Sequence, residues 1–370
     1  ILEEEGVLID NFKLVDQGKF DEAGLTALLE GAKYPARNPY QNIADLRAQI
    51  AANEKGVQEL RKMVDHFGLD VVHAYMGHVQ DNAEESVRRV LSELPDGRYS
   101  YEMDHGARIE VAVTVDRAAR EAVIDFTGTS PQHSGNYNAP FSICRAVVLY
   151  VFRTLVGTNI PLNEGCLTPL KIVAPEGTML NPAYPAAVIA GNTEVSQAMC
   201  NALYGALGVI AGSQATMNNF VWGNDKFQNY ETIAGGTGAG PGFDGCDAVQ
   251  SHMTNTRMTD PEILEKRFPV RLETFGVREG SGGAGEWQGG DGALRLLRFL
   301  APVTVTTLCS HRRVPPFGVD GGEPGAVGLN WAEMPDGTRV DLKGNDEIDL
   351  PEGAVFGLAT PGGGGWGESG

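Results

Sequence analysis

Between Gln41 and Phe67 the apolar residues Ile43, Leu46, Ile50, Val57, Leu60, Val64 and Phe67 recur at alternating steps of three and four. Asn53 fills the one remaining place in the series. Such spacing keeps side chains on one face of a 3.6-residue turn and predicts a long amphipathic helix, stopped by Gly68 at the C′ position. A second series, Val72, Tyr75, Val79, Ala83, Val87, Val90 and Leu94, predicts another helix over about 70–94. The two together predict an antiparallel hairpin, suited to a core layer or an oligomer interface. Upstream, Tyr34-Pro35 and Asn38-Pro39 predict irregular backbone.

After the Pro95-Asp96-Gly97 turn the period falls to two. Ile109, Val111, Val113 and Val115 alternate with polar or small neighbours, and Tyr99–Met103 and Ala122–Phe126 flank them. This predicts a three-stranded antiparallel meander. Pro140 at N1 opens a mostly apolar helix ending near Val156, and a second buried helix is predicted over about Thr193–Ala211, capped by Asn192 or Thr193. Gly205 and Gly208 inside it imply close approach by a neighbouring backbone. Strand-like segments follow at Val270–Val277, Leu294–Leu300, Val303–Leu308 and Val355–Ala359, separated by glycine runs. The fold class is therefore α+β: a helical hairpin, mixed and largely antiparallel β layers with two buried helices, and a glycine-rich β C-terminal region. Residues 1–97 form a mostly helical region, 98–268 a mixed core with a glycine-rich loop, and 269–370 a β-rich region, packed as one continuous unit.

Composition changes this picture in two ways. Glycine supplies 48 of 370 residues, nearly twice the usual ~7%, so close backbone packing is expected. A formal charge of −19 argues against nucleic acid or an anionic membrane as partner. No apolar run is long enough to span a bilayer. The five cysteines show no CxxC spacing and are an odd number, which reads as reduced, buried thiols in the cytoplasm. The chain opens at Ile1-Leu2-Glu3 with no initiator Met, as a piece of something longer would.

The candidate chemistry gathers in Tyr230–Glu262. Gly235, Gly236, Gly238 and Gly240 can expose main-chain N–H groups to a substrate or anion. His252 titrates near working pH and is the candidate general acid or base, oriented by Asp244 or Asp247. Asn255 and Arg257 are candidate substrate ligands, with Arg278 and the Arg312-Arg313 pair as further cations for a carboxylate or phosphoryl group. Cys246 sits in a flexible setting that would suit a nucleophile but reads better as a buried thiol. A packed glycine turn is the alternative for the whole stretch. The segment Gly191–Glu194 is a second possible anion site, though Glu194 there equally complements the helix dipole. His73 and His78 are five residues apart on different helix faces, which opposes a shared metal. P-loop, G-x-S-x-G and H-E-x-x-H motifs are absent.

Several stretches together, NIADLRAQIAANEKG (42–56), HVQDNAEESVRR (78–89), DFTGTS (125–130), QNYETIAGGTGAG (228–240), HMTNTRMTDPE (252–262), GSGGAGEWQGGDG (280–292) and TPGGGGWG (360–367), resemble the hydantoinase B family. They look most like the C-terminal, hydantoinase B-like half of the 5-oxoprolinases, with Trp366 where Tyr is more usual. The resemblance covers nearly the whole chain. It implies an ATP-dependent cyclic amide hydrolase that converts 5-oxoproline to glutamate, working with a hydantoinase A-like ATP-binding partner. ATP and a divalent metal would be held mainly outside this stretch, and no metal ligand carries over onto it. Alternatives are the B-type component of a hydantoinase or N-methylhydantoinase, and a non-catalytic assembly subunit whose helices hold an ATPase partner.

Overall fold

The computed structural model describes residues 1–254 and 256–370. A two-strand ribbon, β1 (Val15–Asp16) and β2 (Lys19–Phe20), leads into α1 (Glu22–Gly31), whose first turn is capped by Asp21 accepting from the Gly24 N–H. Helix α2 (Pro39–Phe67) begins where Asn38 accepts from the Gln41 N–H and Pro39, lacking a donor, occupies the first turn. It buries none of its 29 residues. Gly68, at φ +83°, is the single residue between it and α3 (Leu69–Glu93). Few residue pairs touch across that bend, so α2 stands away from the body where the sequence predicts two helices packed along each other. Helix α3 does pack, burying Val72, Ala83, Val87 and Leu91. None of the described helices is long and apolar enough to cross a membrane.

The meander forms as its alternation predicts. Strands β3 (Gly97–Glu102), β4 (Arg108–Asp116) and β5 (Glu121–Asp125) pair antiparallel, and β6 (Leu170–Val173) joins β5 in parallel. Ile109, Val111 and Val113 point into the core. Between β5 and β6 lies α4 (Phe141–Thr154), with Pro140 as its N-cap rather than its first residue. The second buried helix has two parts, a π-helical turn at Gly191–Val195 and then α5 (Ser196–Leu207), ended by Gly208 in the left-handed conformation. No side chain caps it. Helix α5 lies on the meander so closely that a Cβ at Gly97 would sit 1.7 Å from the Ala206 carbonyl.

Two further sheets complete the chain. Strands β7 (Asn219–Gly223) and β8 (Gln228–Thr232) form a hairpin and the short α6 (Pro261–Arg267) follows. Then come β9 (Val270–Arg278), β10 (Gly292–Phe299), β11 (Val303–Leu308), β12 (Leu329–Glu333), β13 (Arg339–Leu342), β14 (Asn345–Leu350) and β15 (Val355–Ala359). One sheet has the order β14-β11-β7-β8 and the other β13-β12-β15-β10-β9, all antiparallel. Their facing side chains, among them Trp222, Phe299, Val305 and Phe356, make one core. The meander, α3, α4 and α5 make the other.

The glycine runs do more than punctuate strands. The Gly236 N–H donates to the Pro361 carbonyl, Ala239 to Gly364, Gly290 to Thr237, Gly363 to Gly290 and Gly283 to Gly363. Three segments far apart in sequence thus interlock, main chain against main chain. A Cβ at Gly236 would come within 1.9 Å of the Gly290 carbonyl, so only glycine fits.

Candidate functional site

Where the two cores meet, the interior turns polar. Glu194, Gln197, Asn201, Gln214, Asn218 and Asn219 are all buried together, a dense polar patch in an interior that is mostly apolar. They come from the π-turn and α5, from the loop before β7, and from the start of β7 itself. The π-turn widens the helix by one residue and lets the Glu194 side chain enter this seam, a distortion often retained at functional sites. Ala215, Asn218 and His311 adopt positive φ within it, each a strained choice for a residue with a side chain. Among the described residues, Gln197 Oε1, Gln214 Nε2 and Asn218 Oδ1 lack any hydrogen-bond partner.

Glu194 is the one carboxyl at the centre of the seam. Its Oε1 accepts from the Met217 N–H (3.1 Å) and Asn219 Nδ2 (2.8 Å), and its Oε2 accepts from Ser310 Oγ (2.7 Å). Burial pushes its pKa up to about 7; hydrogen bonds from Thr216, Ser310 and Met217, and the charge of Arg312, hold it from going higher. A carboxyl titrating there can both take and give a proton near neutral pH.

Ser310 connects this acid to the outside. It lines a cavity of about 260 Å³ with His105, His133, Tyr137, Cys309 and Lys343. The His105 ring lies 4.6 Å from His133 and 4.5 Å from Tyr137, centroid to centroid. Burial, then the His133 charge, lowers the His105 pKa, keeping it neutral. Burial raises the Tyr137 hydroxyl strongly and the Cys309 thiol to about 11, so both stay protonated. Beneath the rim, Tyr101 Oη and His311 Nε2 are 2.6 Å apart. The arrangement is a cavity whose floor is a hydroxyl hydrogen-bonded to a buried acid, walled by the His105 and His133 rings and a phenol.

The residues singled out in the Tyr230–Glu262 stretch lie elsewhere or act otherwise. Little of His252 reaches the surface and its ring nitrogen Nε2 is fully enclosed. Its Nδ1 is 3.5 Å from Tyr150 Oη, and the ring packs 5.3 Å from that of Tyr204. Burial drops its pKa to about 4, so it is neutral. Neither predicted aspartate is hydrogen-bonded to it: Asp244 accepts from the Gln288 N–H (2.8 Å) and Asp247 from the Asp291 N–H (2.7 Å), pinning the glycine loop before β10.

The glycine floor is likewise closed. The N–H groups of Gly236, Gly238 and Gly240 donate to Pro361, Ser213 Oγ and Phe243, and the Gly235 Cα faces the Gln214 side chain. Glycine permits close approach by any backbone, and here the protein's own chain takes the place expected for a substrate. Arg257 is exposed, with no hydrogen bond or ion pair among the described residues. Asn255 lies outside the described residues. Cys246, expected to be buried, is instead exposed on the glycine loop, with its N–H held by Thr237 Oγ1 (2.7 Å); the other four cysteines are buried. Glu194 is readable in the sequence as part of a possible anion site or as a dipole-complementing residue, not as a buried acid, although one charge inside the run GNTEVSQAMCNALYGAL is a signal. Nothing in the sequence sets Ser310 or His133 apart. Among the described residues no three His, Cys, Asp or Glu side chains converge as metal ligands, so no ligand set for a divalent metal is assigned.

The chain matches the hydantoinase B/oxoprolinase family over residues 2–369. It is 44% identical to a 5-oxoprolinase of Dictyostelium discoideum over 99% of its own length and 29% of that protein, and 44% identical to 5-oxoprolinase 1 of Arabidopsis thaliana over 99% and 31%. The putative B-type component of a D-/L-hydantoinase from a Pseudomonas species is 29% identical over 98% of this chain and 65% of that one. Among solved structures, the ATP-dependent caprolactamase of Pseudomonas jessenii superposes with a TM-score of 0.81 at 25% identity, covering 98% of this chain and 67% of that one. The chain spans under a third of the length of the 5-oxoprolinases it matches.

Proposed function

This chain belongs to the hydantoinase B/oxoprolinase family, and we propose that it is the hydantoinase B-like portion of an ATP-dependent 5-oxoprolinase. The observation that carries this reading is the contrast in identity: 44% to 5-oxoprolinases against 29% to a hydantoinase component, each over essentially the whole chain. A lactam is resonance-stabilised and a poor electrophile. Phosphorylating its oxygen makes the ring carbon open to water; the C–N bond then breaks, nitrogen takes a proton, and the acyl phosphate yields glutamate and phosphate to a second water.

In this reading ATP is bound by a hydantoinase A-like partner half, a divalent metal accompanies it, and the B-like portions associate as homo-oligomers in the cytoplasm. The five free cysteines fit a reducing compartment. The cavity over Ser310 receives the activated ring. Glu194 takes the proton of the attacking water through the Ser310 hydroxyl and returns it to the departing nitrogen, one group serving as base and then acid. His252 keeps a structural part, filling the space between Tyr150 and Tyr204.

Side-by-side assays test the reading. The intact protein should release ADP and glutamate in step when given 5-oxo-L-proline, and much less ADP when given hydantoin. This chain expressed without its A-like partner should hydrolyse no ATP. Preference for hydantoins, or ATP hydrolysis by this chain alone, would overturn it.

A further inference from the structure

Next to the cavity over Ser310 lies a larger groove of about 530 Å³ that shares Asp104, Lys343 and Gly344 with it. Four cations line this groove in a chain whose net charge is −19: Arg312, Arg313, Arg339 and Lys343. Two are already neutralised. Arg313 pairs with Glu102 (2.6 Å), and Arg339 pairs with Asp341 (2.9 Å) and lies over the Trp331 ring. The groove's remaining acid, Asp104, is spent on backbone, accepting from the N–H groups of Arg312, Arg313 and Val314.

Arg312 and Lys343 are different. The Arg312 guanidinium is half-buried yet meets only neutral acceptors, Asn330 Oδ1 (2.9 and 3.1 Å) and the Ser310 carbonyl (2.8 Å). Its place is built for it: a Cβ at Gly328 would stand 2.3 Å from Arg312 Nη1. Asn330 also donates to the Lys343 carbonyl (3.1 Å), tying the guanidinium to the strand end that carries the ammonium. Among the described residues no carboxylate lies within ion-pair distance of Lys343 or Arg312. A half-buried positive charge held by neutral oxygens, beside a second unpaired one, is an arrangement that an anion completes.

We propose that Arg312 and Lys343 form an anion subsite that takes the carboxylate or phosphoryl group of a small substrate, next to the Ser310 hydroxyl. Assigning the anion to 5-oxoproline or its phosphorylated form rests on the activity proposed above; the subsite rests only on the groove. A planar guanidinium offers paired donors to either group, and the ammonium adds a second charge in the same groove.

Calorimetry on the intact protein distinguishes the possibilities, with 5-oxo-L-proline, inorganic phosphate and 2-pyrrolidinone, the same ring without its acid, as probes. Binding of 5-oxo-L-proline identifies a carboxylate occupant and binding of phosphate alone a phosphoryl occupant; 2-pyrrolidinone should not bind in either case. Arg312→Gln and Lys343→Gln should each weaken anion binding tenfold or more, raising KM with kcat largely kept for a carboxylate occupant and lowering kcat for a phosphoryl occupant, and Lys343→Arg should restore what Lys343→Gln removes. Lys343→Gln is the decisive variant because its ammonium props up no neighbour, and an unchanged thermal midpoint will show the fold intact. If neither anion binds, or the variants bind as tightly as the parent protein, the subsite falls. If 5-oxo-L-proline is not turned over but phosphate binding still disappears in both variants, the activity fails and the subsite stands.

Discussion

Glu194 and His252 are buried ionisable groups shifted in opposite directions, and their effects on stability oppose each other. Folding holds the Glu194 proton up to about pH 7, whereas an ordinary glutamate loses it near 4.5. The folded state therefore binds more protons than the unfolded chain between those values, and this residue's contribution to stability falls as pH rises through that window. Folding keeps His252 neutral down to about pH 4 against an ordinary 6.5. Its contribution is present above 6.5 and is lost as pH falls toward 4. The two slopes overlap and largely cancel in the parent protein. Single variants should expose them. Glu194→Gln should be relatively more stable at pH 8 than at pH 5, by on the order of a few kcal/mol. His252→Asn should leave the Glu194 slope uncovered, so that stability rises as pH falls from about 7 toward 4.5. Thermal midpoints against pH measure both, and Glu194→Gln should also lower turnover roughly 10²- to 10⁴-fold. A turnover that survives in Glu194→Gln would remove this residue from the chemistry and leave it a buried strut.

At the scale of elements, the two long helices look alike in sequence and differ in what they bury. Leu60 of α2 is 47% exposed and Leu91 of α3 fully buried. Leu91→Ala should cost about 2–5 kcal/mol by opening a cavity, while Leu60→Ala should stay within about 0.5 kcal/mol in denaturant titrations. Helix α2 is legible because its cap, its Pro39 and its apolar spacing are all local, and the meander for the same reason. What the spacing cannot show is whether anything covers the stripe: periodicity reports a face, and burial depends on the rest of the molecule. The π-turn is hidden similarly, since Gly191–Val195 reads as an ordinary first helical turn until Glu194 is seen bonded to Met217, Asn219 and Ser310. Those partners lie 23, 25 and 116 residues away. The glycine loop is plain in the sequence, but its occupant is not, because Pro361 and Gly364 are over a hundred residues downstream.

For the whole molecule, that interlock of glycine segments joins parts of the chain that no local rule connects. Residues 361–366 accept from Gly236, Ala239 and Gly283 and donate to Gly212 and Gly290, stitching the last residues into the region between the cores. The polar seam lies against this stitching, as Gln214 touches Gly235 and donates its N–H to the Gly236 carbonyl. Loosening the stitching should therefore disturb the seam as well as the fold. A Cβ at Gly363 would sit 1.8 Å from the Thr237 carbonyl, backbone against backbone, with no side chain free to yield. Gly363→Ala should cost about 3 kcal/mol or more and depress turnover beyond what the unfolded fraction explains. Gly56, in the interior of α2, has nothing within 4 Å of the corresponding position. Gly56→Ala should raise stability by roughly 1 kcal/mol through helix propensity alone. Equal and small effects of the two substitutions on the thermal midpoint would mean that the glycine segments slide past one another readily, and that the seam is held by its own hydrogen bonds instead.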